Sequence, residues 1–182
     1  MTVYEIFFSA YYEDRKDFFL KFYDGSLKLT EQNYYDTVLQ RTTLKNSDFE
    51  KIEQKIKLKF PKEFKDFFLT AYSFDKHFQL PGLTLATAWY EKPFEKLNDF
   101  LFKQEYSKEM ITQRLIPVGL YYDNFYVCLD LRHNAKQVDT PITYFDLDNA
   151  IWGKKPVLDE NVYPSFTNFI EHYTNCILTG TY

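Results

Sequence analysis

Glycine, histidine and cysteine are all scarce in this 182-residue chain, and each scarcity excludes a chemistry. The five glycines (Gly25, Gly82, Gly119, Gly153 and Gly180) lie far apart, whereas a phosphate-cradling loop needs them closely spaced. His77, His133 and His172 stand alone, with neither HExxH nor CxxC spacing, so zinc has no ligand set. Two cysteines, Cys128 and Cys176, cannot make a disulfide framework. A basic excess is lacking too. The 22 basic and 26 acidic residues give a net charge of −4, whereas binding duplex nucleic acid needs a net basic face. No apolar run approaches the roughly 18 residues of a membrane span. The opening stretch MTVYEIFFSAYYEDRKDFF lacks a basic leader and is interrupted by Glu5, and the closing TGTY matches no anchor or retention signal. The expectation is a cytoplasmic protein with no catalytic residues, metal or cofactor, and with neither nucleic acid nor membrane as partner.

Aromatic residues are what the chain has in plenty: 19 Phe, 16 Tyr and 2 Trp, 20% of its length. A hydrophobic content of 45% excludes general disorder. The length fits a single domain, 1–182, that buries roughly 70% of the surface an unfolded chain exposes. The charge is uneven. Residues 120–182 hold four basic against eight acidic side chains, so the whole net charge of −4 resides there.

Residues 9–23 carry Tyr11, Tyr12, Phe18, Phe19 and Phe22 at spacings of three, four and seven, which predicts one amphipathic helix stopped near Asp24-Gly25. Residues 26–46 are polar, with a short helix around Glu31–Gln40. This first segment, 1–46, reads as an N-terminal helical elaboration on a core over 47–175, since about 45 residues are near the limit of independent folding. Ser47 and Glu50 have capping-box spacing. Phe49, Ile52 and Ile56 then mark a buried face, with Lys51, Glu53, Gln54 and Lys55 outside. Pro61 opens a second helix with Phe64, Phe67, Phe68 and Ala71 buried, packed on the first across Leu58–Pro61. Leu80–Trp89 reads as a strand following the Pro81-Gly82 turn, and Phe94, Leu97, Leu101 and Phe102 mark a helix.

Leu115–Leu120 (LIPVGL) and Phe125–Leu131 (FYVCLDL) are predicted strands joined by a turn at Tyr122-Asp123-Asn124. Pro141–Leu147 (PITYFDL) is a third, and Ser165 caps a terminal helix bearing Phe166, Phe169, Ile170 and Tyr173. Helices, then strands, then a closing helix predict an α+β fold with an antiparallel sheet packed against helices.

Five blocks stand in a telling order over residues 47–175: KLKFPKEFKDFFL at Lys57–Leu69, LIPVG at Leu115–Gly119, Cys128-Leu129-Asp130-Leu131, PITYFDLD at Pro141–Asp148, and Ser165-Phe166 with Phe169-Ile170. In this order the chain resembles the SUKH superfamily (Smi/Knr-type). It departs from the family pattern after the second helix, where TAYSFDKHFQLPG holds only Gly82 in place of a Gly-rich segment, and at Asp123-Asn124 in place of Asp-Gly. Residues 1–45 have no counterpart. The resemblance implies a SUKH-like fold and a binding module rather than an enzyme. Bacterial members act largely as immunity proteins that neutralise a cognate toxin, often a nuclease or deaminase; fungal members are regulators tied to cell-wall synthesis. The implied partner is a cognate protein toxin or, alternatively, a host protein bound by an intracellular regulatory scaffold. The oligomeric state is left open.

Enzymatic readings are weaker. Asp146-Leu147-Asp148 has the form of a DxD metal site but no phosphate loop accompanies it, so it reads as solvated or partner-facing acids. His133 near Asp130 lacks a nucleophile. Cys128 and Cys176 read as packing residues. Core packing with coding bias explains most of the aromatics; the remainder fits a protein-binding surface, since Tyr and Trp are enriched at interface hot spots. The candidate partner-binding residues are Trp89, Tyr90, Tyr121, Tyr122, Asp123, Tyr126, Asp146, Asp148, Trp152, Asp159 and Glu160, with Asp139 on the same acidic stretch. Such a surface would steer toward the basic groove of a nuclease or deaminase.

Overall fold

A computed structural model describes residues 1–22, 29–73, 79–132, 139–147 and 158–182, with only the backbone of Phe22, Glu160 and Asn161. The first helix, α1 (Val3–Asp14), starts at a capping box. Thr2 Oγ1 accepts the Glu5 N–H at 3.2 Å, while the Glu5 carboxylate accepts the Thr2 N–H at 2.7 Å. It is broken at Arg15 before α2 (Lys16–Phe22). Residues 9–23 therefore do not form the single helix that their spacing predicts, because the apolar period begins earlier, at Tyr4. The short α3 (Tyr34–Val38) lies within its expected range.

A 3₁₀ turn (Asn46–Phe49) precedes α4 (Glu50–Ile56). Ser47 does not cap it as expected; Asp48 accepts the Lys45 N–H at 2.7 Å instead. Pro61 stands at the N-cap of α5 (Lys62–Thr70), whose Phe64, Phe67 and Phe68 are buried as their spacing predicts. Glu53 is a correction. It is not on an outer face but only 2% exposed, accepting Lys59 Nζ at 2.7 Å, Lys65 Nζ at 2.6 Å and the Phe60 N–H at 3.0 Å. A carboxylate can be buried there because three donors satisfy it. Burial pushes its pKa up, but those hydrogen bonds outweigh it and hold the carboxyl below its ordinary value.

The predicted Leu80–Trp89 strand is three short ones: β2 (Gln79–Leu80), β3 (Leu83–Leu85) and β4 (Ala88–Trp89), the last pairing in parallel with β1 (Tyr72–Ser73). After α6 (Glu95–Phe102) and α7 (Ser107–Thr112) come β5 (Leu115–Tyr121), β6 (Phe125–Asp130), β7 (Ile142–Asp146) and β8 (Leu158–Tyr163). They complete a six-stranded antiparallel sheet in the order β2-β3-β5-β6-β7-β8. The register slips between Pro117 and Gly119, where a Cβ on Gly119 would stand 2.7 Å from the Thr84 carbonyl oxygen. The closing helix α8 (Phe166–Thr179) has Ser165 as its cap, accepting the Asn168 N–H at 3.0 Å. The fold is thus α+β, with an antiparallel sheet packed against helices.

One sheet face meets α6 and α7: Tyr126 donates to Gln104 Oε1 at 3.1 Å, and Cys128 Sγ lies 3.6 Å from Met110 Sδ. The other face meets α8, through a hydroxyl hydrogen bond between Tyr144 and Tyr173 and ring contact of Tyr163 with Phe169 at 5.1 Å. Behind α8, α1 drives Tyr4, Phe7 and Phe8 onto Phe67, with centroids 5.3–5.7 Å apart. Most phenylalanines are therefore core. Phe18 and Phe102 depart from that reading, since both are exposed.

Candidate partner-binding surface

The β5–β6 turn is built from two residues in the left-handed region, Tyr122 at φ 45° and Asp123 at φ 60°. Asn124 N–H closes it onto the Tyr121 carbonyl at 3.2 Å. Positive φ at both positions matches the right-handed twist of the strands, so the hairpin forms without an Asn-Gly pair, at the cost of local strain. What holds it is the neighbouring β2–β3 turn. Tyr122 N–H donates to the Gly82 carbonyl at 2.7 Å, and the Tyr122 ring lies over Gly82 so closely that a Cβ there would stand 2.7–2.9 Å from ring carbons. Gly82 itself has φ 71°. The Tyr121 ring packs edge-on against that of Tyr122 at 4.6 Å. Tyr122 is 59% exposed yet oriented by backbone and by two neighbours.

This turn gathers four of the candidates at one end of the sheet. Leu147 N–H donates to the Asn124 carbonyl at 2.8 Å, and Phe125 pairs with Asp146, so Asp146 stands beside Tyr121, Tyr122 and Asp123. Asp159, exposed on β8 opposite Tyr144, lies two pairs inward from that end. A polar hollow of about 250 Å³, lined by Gln79, Gly82, Thr84, Tyr122 and Asp123, opens beside the turn. Burial, and the nearness of Tyr122, raise the Tyr121 pKa, so its hydroxyl is neutral at physiological pH.

The other candidates go elsewhere. Tyr126 is only 4% exposed and offers a partner almost no side-chain surface. Trp89 and Tyr90 are carried away, because β3 leaves the hairpin end at Leu83, opposite Tyr121, and runs toward Gly119. Both are half-buried; Tyr90 donates to Glu91 at 2.8 Å and its N–H to the Ser73 carbonyl at 3.1 Å. Glu160 lies on β8, but its side chain, like Asp148, Trp152 and His133, is outside the described residues. Asp139 serves α8, accepting the Thr167 N–H at 3.0 Å near the positive end of the helix. Asp130 is buried against Arg132, so it and Asp139 are both engaged internally.

Burial pushes the Cys128 thiol far up, consistent with a packing residue, and Cys176 Sγ lies 3.5 Å from His172 Nε2. Among the described residues no group of three His, Cys, Asp or Glu could hold a metal ion, and no helix is long and apolar enough to cross a membrane.

The residue that sequence reasoning missed is Gly82. Pro81-Gly82 announces a turn, but nothing local says that a tyrosine forty residues later will seat its ring there. Gly82→Ala is expected to destabilise the fold by about 1–3 kcal/mol, from the left-handed φ and displacement of the Tyr122 ring. Urea unfolding would measure the loss, and fluorescence quenching of the tyrosines would report the displaced ring.

The SMI1 / KNR4 family (SUKH-1) matches residues 43–172, well over half of the chain, taking in α4 through the first half of α8 and every described strand. Neither a curated protein nor a solved structure matches. The matched span contains the helix pair α4–α5, the hairpin end and the acidic strands, and leaves α1 to α3 outside it. On that match, the chain belongs to the SMI1 / KNR4 family (SUKH-1).

Proposed function

We propose that the chain is a cytoplasmic immunity protein that binds a cognate toxin, a nuclease or deaminase, and neutralises it by direct contact without turnover. Family membership supports a protein-binding role, and one observation carries the choice of surface: an exposed tyrosine held rigidly on an acidic turn. Tyrosines of this kind are typical interface anchors, and a side chain already fixed before binding loses little entropy on contact. Asp123, Asp146 and Asp159 around it present carboxylates to a basic substrate groove and speed association at low salt.

Calorimetric titration of the protein with the product of a neighbouring toxin gene tests this reading. Tyr122→Ala should weaken binding by about 30-fold or more, which corresponds to a hot-spot loss of about 2 kcal/mol. Asp123→Lys with Asp146→Lys should slow association at low salt and matter less at high salt. Undiminished binding by Tyr122→Ala, with a large loss in Trp89→Ala, would move the interface to the other end of the sheet.

A further inference from the structure

Among the described residues, exposed apolar side chains gather in a patch where the outer face of α1 meets the end of α8. Ile6, 37% exposed, stands on this face with the half-buried Ser9 and the exposed Glu13 at helical spacings of three and seven, while Ala10 beside them is buried. Tyr35 and the 65% exposed Leu178 of α8 flank it around a hollow of about 400 Å³. Every residue lining this hollow lies outside the segment 43–172 that the family shares, so the patch is this chain's own addition. A second hollow of about 440 Å³ continues it toward Glu5 and Arg41.

The charges on the stripe are arranged for a particular occupant. At one end Arg41, 82% exposed, pairs with Glu5 at 2.7 Å; at the other stands the exposed Glu13, accepting the Tyr35 hydroxyl. Glu5 and Glu13 are eight residues apart, about 12 Å along the helix, and Ser9 is midway between them. The small, half-buried Ser9 at the middle lets a second helix approach closely, and opposite charges equidistant from that middle are what a two-fold axis requires.

We infer that α1 is a homodimer interface, in which two copies pack their α1 helices antiparallel about an axis at Ser9. Arg41 of each copy then meets Glu13 of the other, and Ile6 and Leu178 are covered. A single helix face makes a small interface, below roughly 1,200 Å² in total, so the dimer is weak and concentration-dependent. This inference does not depend on the toxin-binding reading.

Sedimentation velocity at loadings from about 10 to 500 µM, a range suited to small interfaces, tests it. The mass should rise from 22.0 kDa toward twice that value. Ile6→Glu should abolish the rise. Glu13→Arg and Arg41→Glu should each weaken dimerisation about tenfold, while the double variant regains it, because the pair is re-formed with its signs exchanged. Circular dichroism confirms that each variant folds. A monomer at every concentration, a dimer indifferent to Ile6→Glu, or a double variant no better than the singles would each overturn the interface.

Discussion

Replacing Phe67 with alanine is expected to lower the unfolding free energy by about 3–5 kcal/mol. Phe67 is fully buried on α5 and touches rings from two other helices, α1 and α8: Tyr4 and Phe7 at 5.7 Å, Phe8 stacked at 5.3 Å, and Phe166 edge-on at 5.4 Å. Truncation would remove the transfer free energy of the ring and leave a cavity walled by aromatic side chains that are themselves held by other contacts, so collapse is limited. Against a typical total of about 5–15 kcal/mol this is a large fraction. Urea unfolding by circular dichroism would measure it, with the exposed Phe102→Ala as a control expected to change stability by no more than about 0.5 kcal/mol.

Asp130→Ala should cost a similar amount, about 3–5 kcal/mol, for an electrostatic reason. The Asp130 carboxylate is buried and accepts four hydrogen-bond contacts from Arg132, one from its backbone N–H at 2.9 Å and three from its guanidinium at 2.6–3.2 Å, and one from the Thr143 hydroxyl at 3.0 Å. Removing the carboxylate leaves the buried Thr143 hydroxyl without that acceptor and strips the guanidinium of its bidentate counter-charge. Burial works to raise the Asp130 pKa, but the Arg132 and Thr143 hydrogen bonds prevail and hold it below the ordinary value. A depressed folded-state pKa gives stability that is present above the unfolded carboxyl value, near 4, and is lost as pH falls through the folded value. The gap between the parent protein and Asp130→Ala should therefore narrow as the pH is lowered below about 4.

Phe67 and Asp130 also mark how far the sequence could be read. Phe64, Phe67 and Phe68 announce their burial by helical spacing, and Pro61 announces the start of α5, because both signals are local. The strands LIPVGL and FYVCLDL and the turn between them are legible for the same reason. The start of α1 was legible in principle, since Thr2 and Glu5 have capping-box spacing, but the denser aromatic run further along outweighed it. Glu53 was not legible: its neighbours along α4 are exposed lysine and glutamine, and its burial comes from Lys59, Lys65 and the Phe60 N–H arriving from the next segment. β8 (LDENVY) has no apolar alternation and is a strand only because β7 supplies partners. The candidate surface was half visible. The Tyr122-Asp123 turn could be placed, whereas the loss of Tyr126 to the core follows from which sheet face it takes, and the departure of Trp89 and Tyr90 from the direction in which β3 runs, matters of register and topology rather than composition.

Survival of cells that express the product of the neighbouring toxin gene, with and without this protein, tests the central claim most directly. The proposed function predicts that the intact protein restores growth in proportion to its expression, as stoichiometric binding requires, and that Tyr122→Ala, expressed and folded to the same level, restores far less. Growth equally poor with and without the protein would contradict a role in immunity.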